Sequence, residues 1–218
     1  VIEIQKRVYA NNDLKAEELR QELQENGTFL LNLMSSPGSG KTTSVVATIN
    51  HLKEQFKIGV IEADIDSDVD AATVAKSGAR VMQLHSGGMC HLDAGMSREG
   101  LETINSEELD FVILENIGNL ICPASYDLGA SKNAMILSVP EGDDKPLKYP
   151  KMFSQVDVLI ISKIDTVSLF DFDFEAVEQR VKALNPSIKV FPISAKTGQG
   201  MDAWCHYLSN EIINWKNN

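Results

Sequence analysis

A chain of 218 residues with 43% hydrophobic and 23% charged side chains has the composition of a single soluble domain that buries a core without disulfide or metal staples. Its net charge of −11 is spread along the chain, which argues against nucleic acid or an anionic membrane as the main partner. No apolar run approaches the roughly 18 to 20 residues of a membrane span, no signal-peptide pattern opens the chain, and three cysteines make no disulfide framework, so a cytoplasmic protein is expected.

Residues 1 to 26 are polar, with sparse apolar positions at Ile4, Val8, Leu14, Leu19 and Leu23. They read as an N-terminal helical extension (1–27) of one or two amphipathic helices, with Asn11-Asn12-Asp13 as a break and helix start. From residue 28 to 218 strands and helices alternate. Apolar runs predict strands at 28–34, 57–62, 80–84, 110–115, 133–139, 156–161 and 188–192, and helices near 41–54, 69–77, 93–105, 173–184 and 200–214. Strands apolar on both faces, such as 156–161, need helices on both sides of a parallel sheet. The expected fold is α/β, a doubly wound and mostly parallel sheet whose ligands lie beyond the C-terminal strand ends.

The first chemical signal closes the first strand. Ser35-Ser36-Pro37-Gly38-Ser39-Gly40-Lys41-Thr42 has the form G-x-x-x-x-G-K-[ST], with Ser35 where the first glycine belongs. Such a loop between strand and helix aims backbone amides and the helix dipole at phosphates, so Pro37, Gly38, Ser39, Gly40, Lys41, Thr42 and Thr43 form the candidate nucleotide cradle. Lys41 would reach the terminal phosphates, and the Thr42 hydroxyl would bind Mg²⁺. Past the second strand, Asp64 and Asp66 are placed to orient the Mg²⁺ shell. The alternation Asp64, Asp66, Asp68, Asp70 is not an EF-hand, because Val69 and Ala75 stand where glycine and a bidentate glutamate are required. Glu115, followed by Gly118, resembles the acid-x-x-Gly sensor of a γ-phosphate. Lys41, Asp64 and Glu115 are the candidate catalytic groups of a P-loop GTPase-type domain.

Two later segments select the base. Ser162-Lys163-Ile164-Asp165 resembles the Asn-Lys-x-Asp guanine signature, with Ser162 replacing the asparagine, and Ser194-Ala195-Lys196 resembles the second guanine motif. The Asp165 carboxylate can accept from N1–H and the 2-amino group of guanine, donors that adenine lacks. Lys163 can lie along the base plane, and the Ala195 amide can donate to O6. GTP and GDP are the expected ligands.

A third set carries soft ligands. Cys90-His91 sits in a loop at a helix start, and Cys122 lies four residues beyond Gly118. Two thiolates and an imidazole suit Zn²⁺ or Ni²⁺, although spacing alone slightly favours ordinary loop and core residues. His85 reads as a strand-end residue, and Cys205 and His206 as packing residues.

Together the phosphate loop, Cys90-His-Leu-Asp-Ala94, Glu115-Asn-Ile-Gly-Asn-Leu-Ile-Cys-Pro-Ala124, Tyr126-Asp-Leu-Gly129 and Glu141-Gly-Asp-Asp144 resemble the hydrogenase nickel-incorporation GTPases, the HypB family. The resemblance implies GTP hydrolysis, a GTP-dependent homodimer, and nickel or zinc held by Cys90, His91 and Cys122 at the dimer interface. It also implies a small zinc-containing HypA-type partner and a hydrogenase large subunit as recipient. Tyr126-Asp127 would position the Cys122 loop, and Lys148 reads either as a solvated surface lysine or as one that reaches nucleotide or partner subunit. The Cys-Pro-His and Glu-Ser-Gly-Gly segments of the urease accessory GTPase, UreG, are not matched. A P-loop small-molecule kinase, or a regulatory GTPase without a metal role, is the rival of another class.

Overall fold

The computed structural model describes residues 2–64 and 69–217. Seven strands form one parallel sheet: β1 (Phe29–Ser35), β2 (Ile58–Asp64), β3 (Arg80–His85), β4 (Phe111–Glu115), β5 (Lys132–Ser138), β6 (Val158–Ser162) and β7 (Lys189–Pro192). Their order is β3-β2-β4-β1-β5-β6-β7. After β1 the chain builds one side of the sheet, inserts β4, then crosses to build the other. The crevice at the C-terminal end of β1 is therefore the topological switch point where such sheets bind ligands.

The helices are α1 (Ile2–Asn26), α2 (Lys41–Leu52), α3 (Val69–Ala75), α4 (Ala94–Thr103), α5 (Lys145–Lys148), α6 (Pro150–Ser154), α7 (Phe174–Leu184) and α8 (Met201–Asn217). Short α5 and α6 escape sequence reading, because four or five residues around Pro146 and Pro150 are too few to display a helical period. On one face, Leu31, Leu33, Ile113 and Ile160 pack against Val45 and Ile49 of α2 and Trp204 of α8. Trp204 keeps its ring buried by donating Nε1–H to Thr48 Oγ1 at 3.0 Å. The opposite face carries two clusters. Leu30, Val112 and Leu114 meet Leu19 and Leu23 of α1 and Leu101 of α4. Met135, Leu137 and Ile161 meet Phe153 of α6 and Val181 of α7. Among the described residues no helix is long and apolar enough to cross a membrane.

The N-terminus departs from expectation. Asn11-Asn12-Asp13 does not break the segment, and α1 is one continuous helix. Asparagine disfavours helix interiors because its side chain competes for local backbone groups. Here Asn12 is buried, and its amide is engaged by distant backbone instead, at Asp127 and Ala94.

Candidate nucleotide and metal site

β1 delivers the phosphate loop to the switch point. Ser35 is fully buried and its hydroxyl donates to Ser36 O at 2.9 Å. Among the described residues only Asn105 and Lys163 are non-glycine positions with positive φ, so the missing first glycine demands no left-handed backbone. Gly40 (φ 90°) stands before α2 without any side-chain cap, which leaves the first amides of that helix for an anion. Among the described residues the buried Ser39 hydroxyl also finds no hydrogen-bond partner, an orphan that a phosphate oxygen would satisfy. A cleft of about 590 Å³ opens here, lined by Lys41, Thr42, Thr43, Glu62, Gln83, Glu115 and Lys163 among others. Lys41 Nζ lies 3.3 Å from Glu115 Oε1. A Cβ on Gly118 would stand 3.1 Å from the Pro37 ring, so the segment from Glu115 to Gly118 rests directly on the phosphate loop.

Strand register adds two residues that sequence reading missed. Glu62 lies beside Glu115, and Gln83 beside Glu62, in one row across β3, β2 and β4. Both glutamates are almost wholly buried. The available signal was a single carboxylate inside the apolar run Ile58-Gly-Val-Ile-Glu-Ala63, where a strand covered on both faces has no use for one. Of the expected magnesium acids, Asp64 closes β2, but its side chain and the whole of Asp66 lie outside the described residues.

The guanine loops meet the phosphate loop through short hydrogen bonds. Ser162 donates from Oγ to Ser39 O at 2.6 Å in a buried setting, so the serine that replaces asparagine still braces the loop. Lys163 adopts φ 59°, and its Nζ donates to Gly38 O at 2.6 Å. Asp165 accepts a 2.7 Å bond from the Ser194 hydroxyl, which fixes the carboxylate meant to read the base. Ile164 N–H donates to Ile193 O, tying the two guanine loops together. Ala195 is half-buried and Lys196 exposed just beyond β7.

The soft ligands converge beside this cleft. Cys90 Sγ and Cys122 Sγ stand 2.9 Å apart, and His91 Nδ1 lies 3.8 Å from Cys90 Sγ. Sharing its proton with Cys122, and secondarily desolvation, pushes the Cys90 thiol above its ordinary pKa. His91 stacks on Tyr126 at 4.0 Å between ring centroids and 9° between planes. Asn119 spans the two loops, donating to Cys90 O and accepting from Ile121 N–H. Among the described residues no three histidine, cysteine or acidic side chains are gathered into a closed chelate, so the donors are adjacent rather than assembled. Met89 and Ile121 expose their apolar side chains next to the thiols. Cys205 belongs to the core, where burial raises its thiol to about 12 and leaves it inert. His85 and His206 are exposed and outside this cluster. Lys148 pairs with Asp144 on the surface.

Residues 29–192 match the profile described as the CobW/HypB/UreG nucleotide-binding domain. The hydrogenase maturation factor HypB of Rhizobium leguminosarum bv. viciae is 41% identical over 208 residues, covering 95% of this chain and 70% of that protein. The chain belongs to the HypB family. A Helicobacter pylori protein described as a hydrogenase/urease maturation factor HypB is 40% identical, with 95% of this chain and 86% of that one covered. The crystal structure of Helicobacter pylori HypB in complex with nickel superimposes with a TM-score of 0.87 at 40% identity, covering 94% and 96% of the two chains. The HypB fold accounts for the sheet order, and the doubly wound parallel architecture expected from the sequence is the one observed.

Proposed function

We propose that the protein is a GTP-hydrolysing metallochaperone of hydrogenase maturation, in which nucleotide state governs dimerisation and the affinity of a Cys90/His91/Cys122 site for nickel or zinc. The observation that carries this reading is the contact of Gly118 with Pro37. It supports a γ-phosphate sensor at Glu115 to Gly118, a segment that rests on the phosphate loop and ends four residues ahead of Cys122, whose thiol lies beside Cys90. The metal is cargo here, to be bound and surrendered, which suits donors that are adjacent but not closed into a cage.

The chemistry follows from the chain's own groups. Lys41 lies within ion-pair distance of Glu115; phosphate oxygens would compete for it, leaving that carboxylate to take up the sensor role. The amides ahead of α2 and the orphaned Ser39 hydroxyl would hold the phosphates, while Asp165, fixed by Ser194, would read guanine. Mg²⁺ bound at Thr42, with Asp64 and Asp66 as the expected acids, would supply charge neutralisation between the β- and γ-phosphates. Glu62, in register with Glu115, adds a second carboxyl group to the same wall. The exposed Met89 and Ile121 support a second copy closing over the thiols, so that a ligand from the partner chain completes the coordination. A HypA-type protein would act upstream and the hydrogenase large subunit would receive the metal.

Titration of Ni²⁺ and Zn²⁺ into the GDP form and into the form bound to a non-hydrolysable GTP analogue, with sedimentation in parallel, tests this. The analogue should favour the dimer and shift metal affinity by at least about fivefold, the lower end of ordinary coupling energies. Identical metal affinities and identical mass in both forms would sink the reading.

A further inference from the structure

The two loops that bear the thiols come from different parts of the chain: one leads from β3 into α4, the other follows β4. Local bonds such as that of Asn119 join their tips. Their bases are joined by a residue from neither. Asn12, on the third turn of α1 and 7% exposed, accepts from Ala94 N–H at 2.9 Å through Oδ1 and donates from Nδ2 to Asp127 O at 2.9 Å. Ala94 is the first residue of α4, three positions after His91. Its amide is one of the orphans every helix start carries, and here another helix caps it. Asp127 lies five residues after Cys122 and receives a second grip from α1, a two-pronged ion pair with Arg20 at 2.7 Å on each oxygen. Further up α1, Tyr9 packs on Tyr126, the ring on which His91 stacks. Gly129 closes the same loop so tightly against α1 that a Cβ there would stand 2.8 Å from Ala16 O.

We propose that Asn12 is a positioning residue of the metal site: by hydrogen-bonding Ala94 and Asp127 at once, it sets the spacing between the Cys90/His91 loop and the Cys122 loop, and makes α1 part of the metal centre. The inference rests on the metal-binding reading of Cys90, His91 and Cys122. One carboxamide, with an acceptor and a donor on the same carbon, matches a free N–H on one loop and a free C=O on the other; neither a carboxylate nor an alkyl group can do both. The register of the loops is then fixed from outside the site, leaving the thiols exposed for exchange.

The test compares the parent with Asn12→Leu and Asn12→Asp. Asparagine-to-leucine removes both bonds; asparagine-to-aspartate keeps the acceptor for Ala94 N–H and loses the donor to Asp127 O. A metal-free ruler comes from diamide, which takes two electrons and two protons from the Cys90 and Cys122 thiols, is itself reduced to the hydrazine, and leaves the disulfide. Because the sulfurs must close to about 2.05 Å, the rate reports how well the loops hold them together. A second ruler is Co²⁺ affinity with its thiolate-to-metal absorption band, and binding of a GTP analogue is the control. Asn12→Leu should slow disulfide closure and weaken Co²⁺ binding by about tenfold each, the cost of buried polar groups left unpaired. The cobalt band should shift, Asn12→Asp should fall between, and nucleotide affinity should stay within about twofold of the parent. Parent-like closure and cobalt binding in Asn12→Leu would overturn the proposal, as would an equal loss of nucleotide and metal binding, which marks a general folding role. If Asn12→Leu does not fold, Asn12→Asp is measured in its place: slower closure with weaker cobalt binding supports the clamp, and parent-like values overturn it. Should the parent itself bind cobalt independently of Cys90 and Cys122, the metal reading fails, while the diamide rates still test the clamp.

Discussion

The candidate nucleotide end and the candidate metal end of this molecule are built by opposite rules. At the phosphate and guanine loops the contacts are short and already made: Ser162 to Ser39 O, Lys163 to Gly38 O, Ser194 to Asp165. At the metal loops Cys90 is exposed, Cys122 half-buried, and the imidazole is turned onto Tyr126. A site that must hold its ligand through a reaction gains from preorganised dipoles. On the proposed function, a site that gives its ligand away gains from incompleteness, and the bonds of Asn12 tie its two loops to α1.

This contrast predicts that the two ends separate under mutation. The largest effect is expected from Lys41→Ala. Removing the Lys41 cation beside the β/γ-phosphates should cut GTP turnover on the order of a thousandfold, the scale of losing a preorganised electrostatic contact in a dry site. Metal binding by the nucleotide-free protein should be unaltered. Phosphate release and metal titration on the same preparation measure both; unchanged hydrolysis would mean that the cradle is misassigned.

Next in size is Cys122→Ala. If an apparent binding energy of about 10–16 kcal/mol is shared by four ligands, each thiolate accounts for about 3 kcal/mol, a loss on the order of a hundredfold in metal affinity. GTP-analogue affinity should barely move, because Cys122 lies outside the cleft. A variant that binds nickel and zinc like the parent breaks the contrast at its metal end.

How much of this contrast is readable from sequence follows the same division. Each of the seven strands appears within two residues of its expected bounds, because near-continuous apolar runs such as Val158 to Ile161 leave a chain no other way to be buried. The motif loops at strand ends were legible too, since motif chemistry is local. What the sequence hid was non-local. Glu62 enters the cleft only through its register with Glu115, and no spacing rule couples residues 53 positions apart. Asn12 reads locally as a helix breaker, and only its distant partners turn it into a helix residue. The short bonds of Ser162 and Ser194 replace or support motif residues in ways that side-chain identity alone does not disclose.

A pH series sharpens the contrast further. Cys90 is raised above the ordinary thiol pKa of about 8.5 because it donates to Cys122. At neutral pH the Cys90 thiol therefore keeps its proton, and metal binding there must expel it. Affinity for Ni²⁺ or Zn²⁺ should climb with pH and keep climbing above the usual thiol range, by up to about tenfold per unit for each proton released. GTP-analogue affinity should not follow that titration. Metal affinity that is flat from about pH 6.5 to 9 would show that the thiols are not the ligands.

The smallest effect is expected from Ser162→Ala, and it is the most selective. The hydroxyl lost is buried, and it satisfies the Ser39 carbonyl at the crown of the phosphate loop. Without it that carbonyl has no donor from the guanine loop, at a cost of about 1 to 3 kcal/mol if nothing else moves in. The part of that cost felt by bound nucleotide is what the brace contributed to holding the loop in shape, so GTP and GDP affinities should fall together by about fivefold, near the low end of that range. Equal losses are the telling feature, since the brace touches the loop that both nucleotides share and not the γ-phosphate sensor at Gly118. Metal affinity in the GDP-saturated protein should match the parent, because no bond of Ser162 reaches the loops tied by Asn12. Calorimetric titration with the two nucleotides and then with Ni²⁺ reads all three values. A variant that loses GTP but keeps GDP would place Ser162 in the switching machinery, and the separation between a rigid nucleotide end and a loosely held metal end would have to be redrawn.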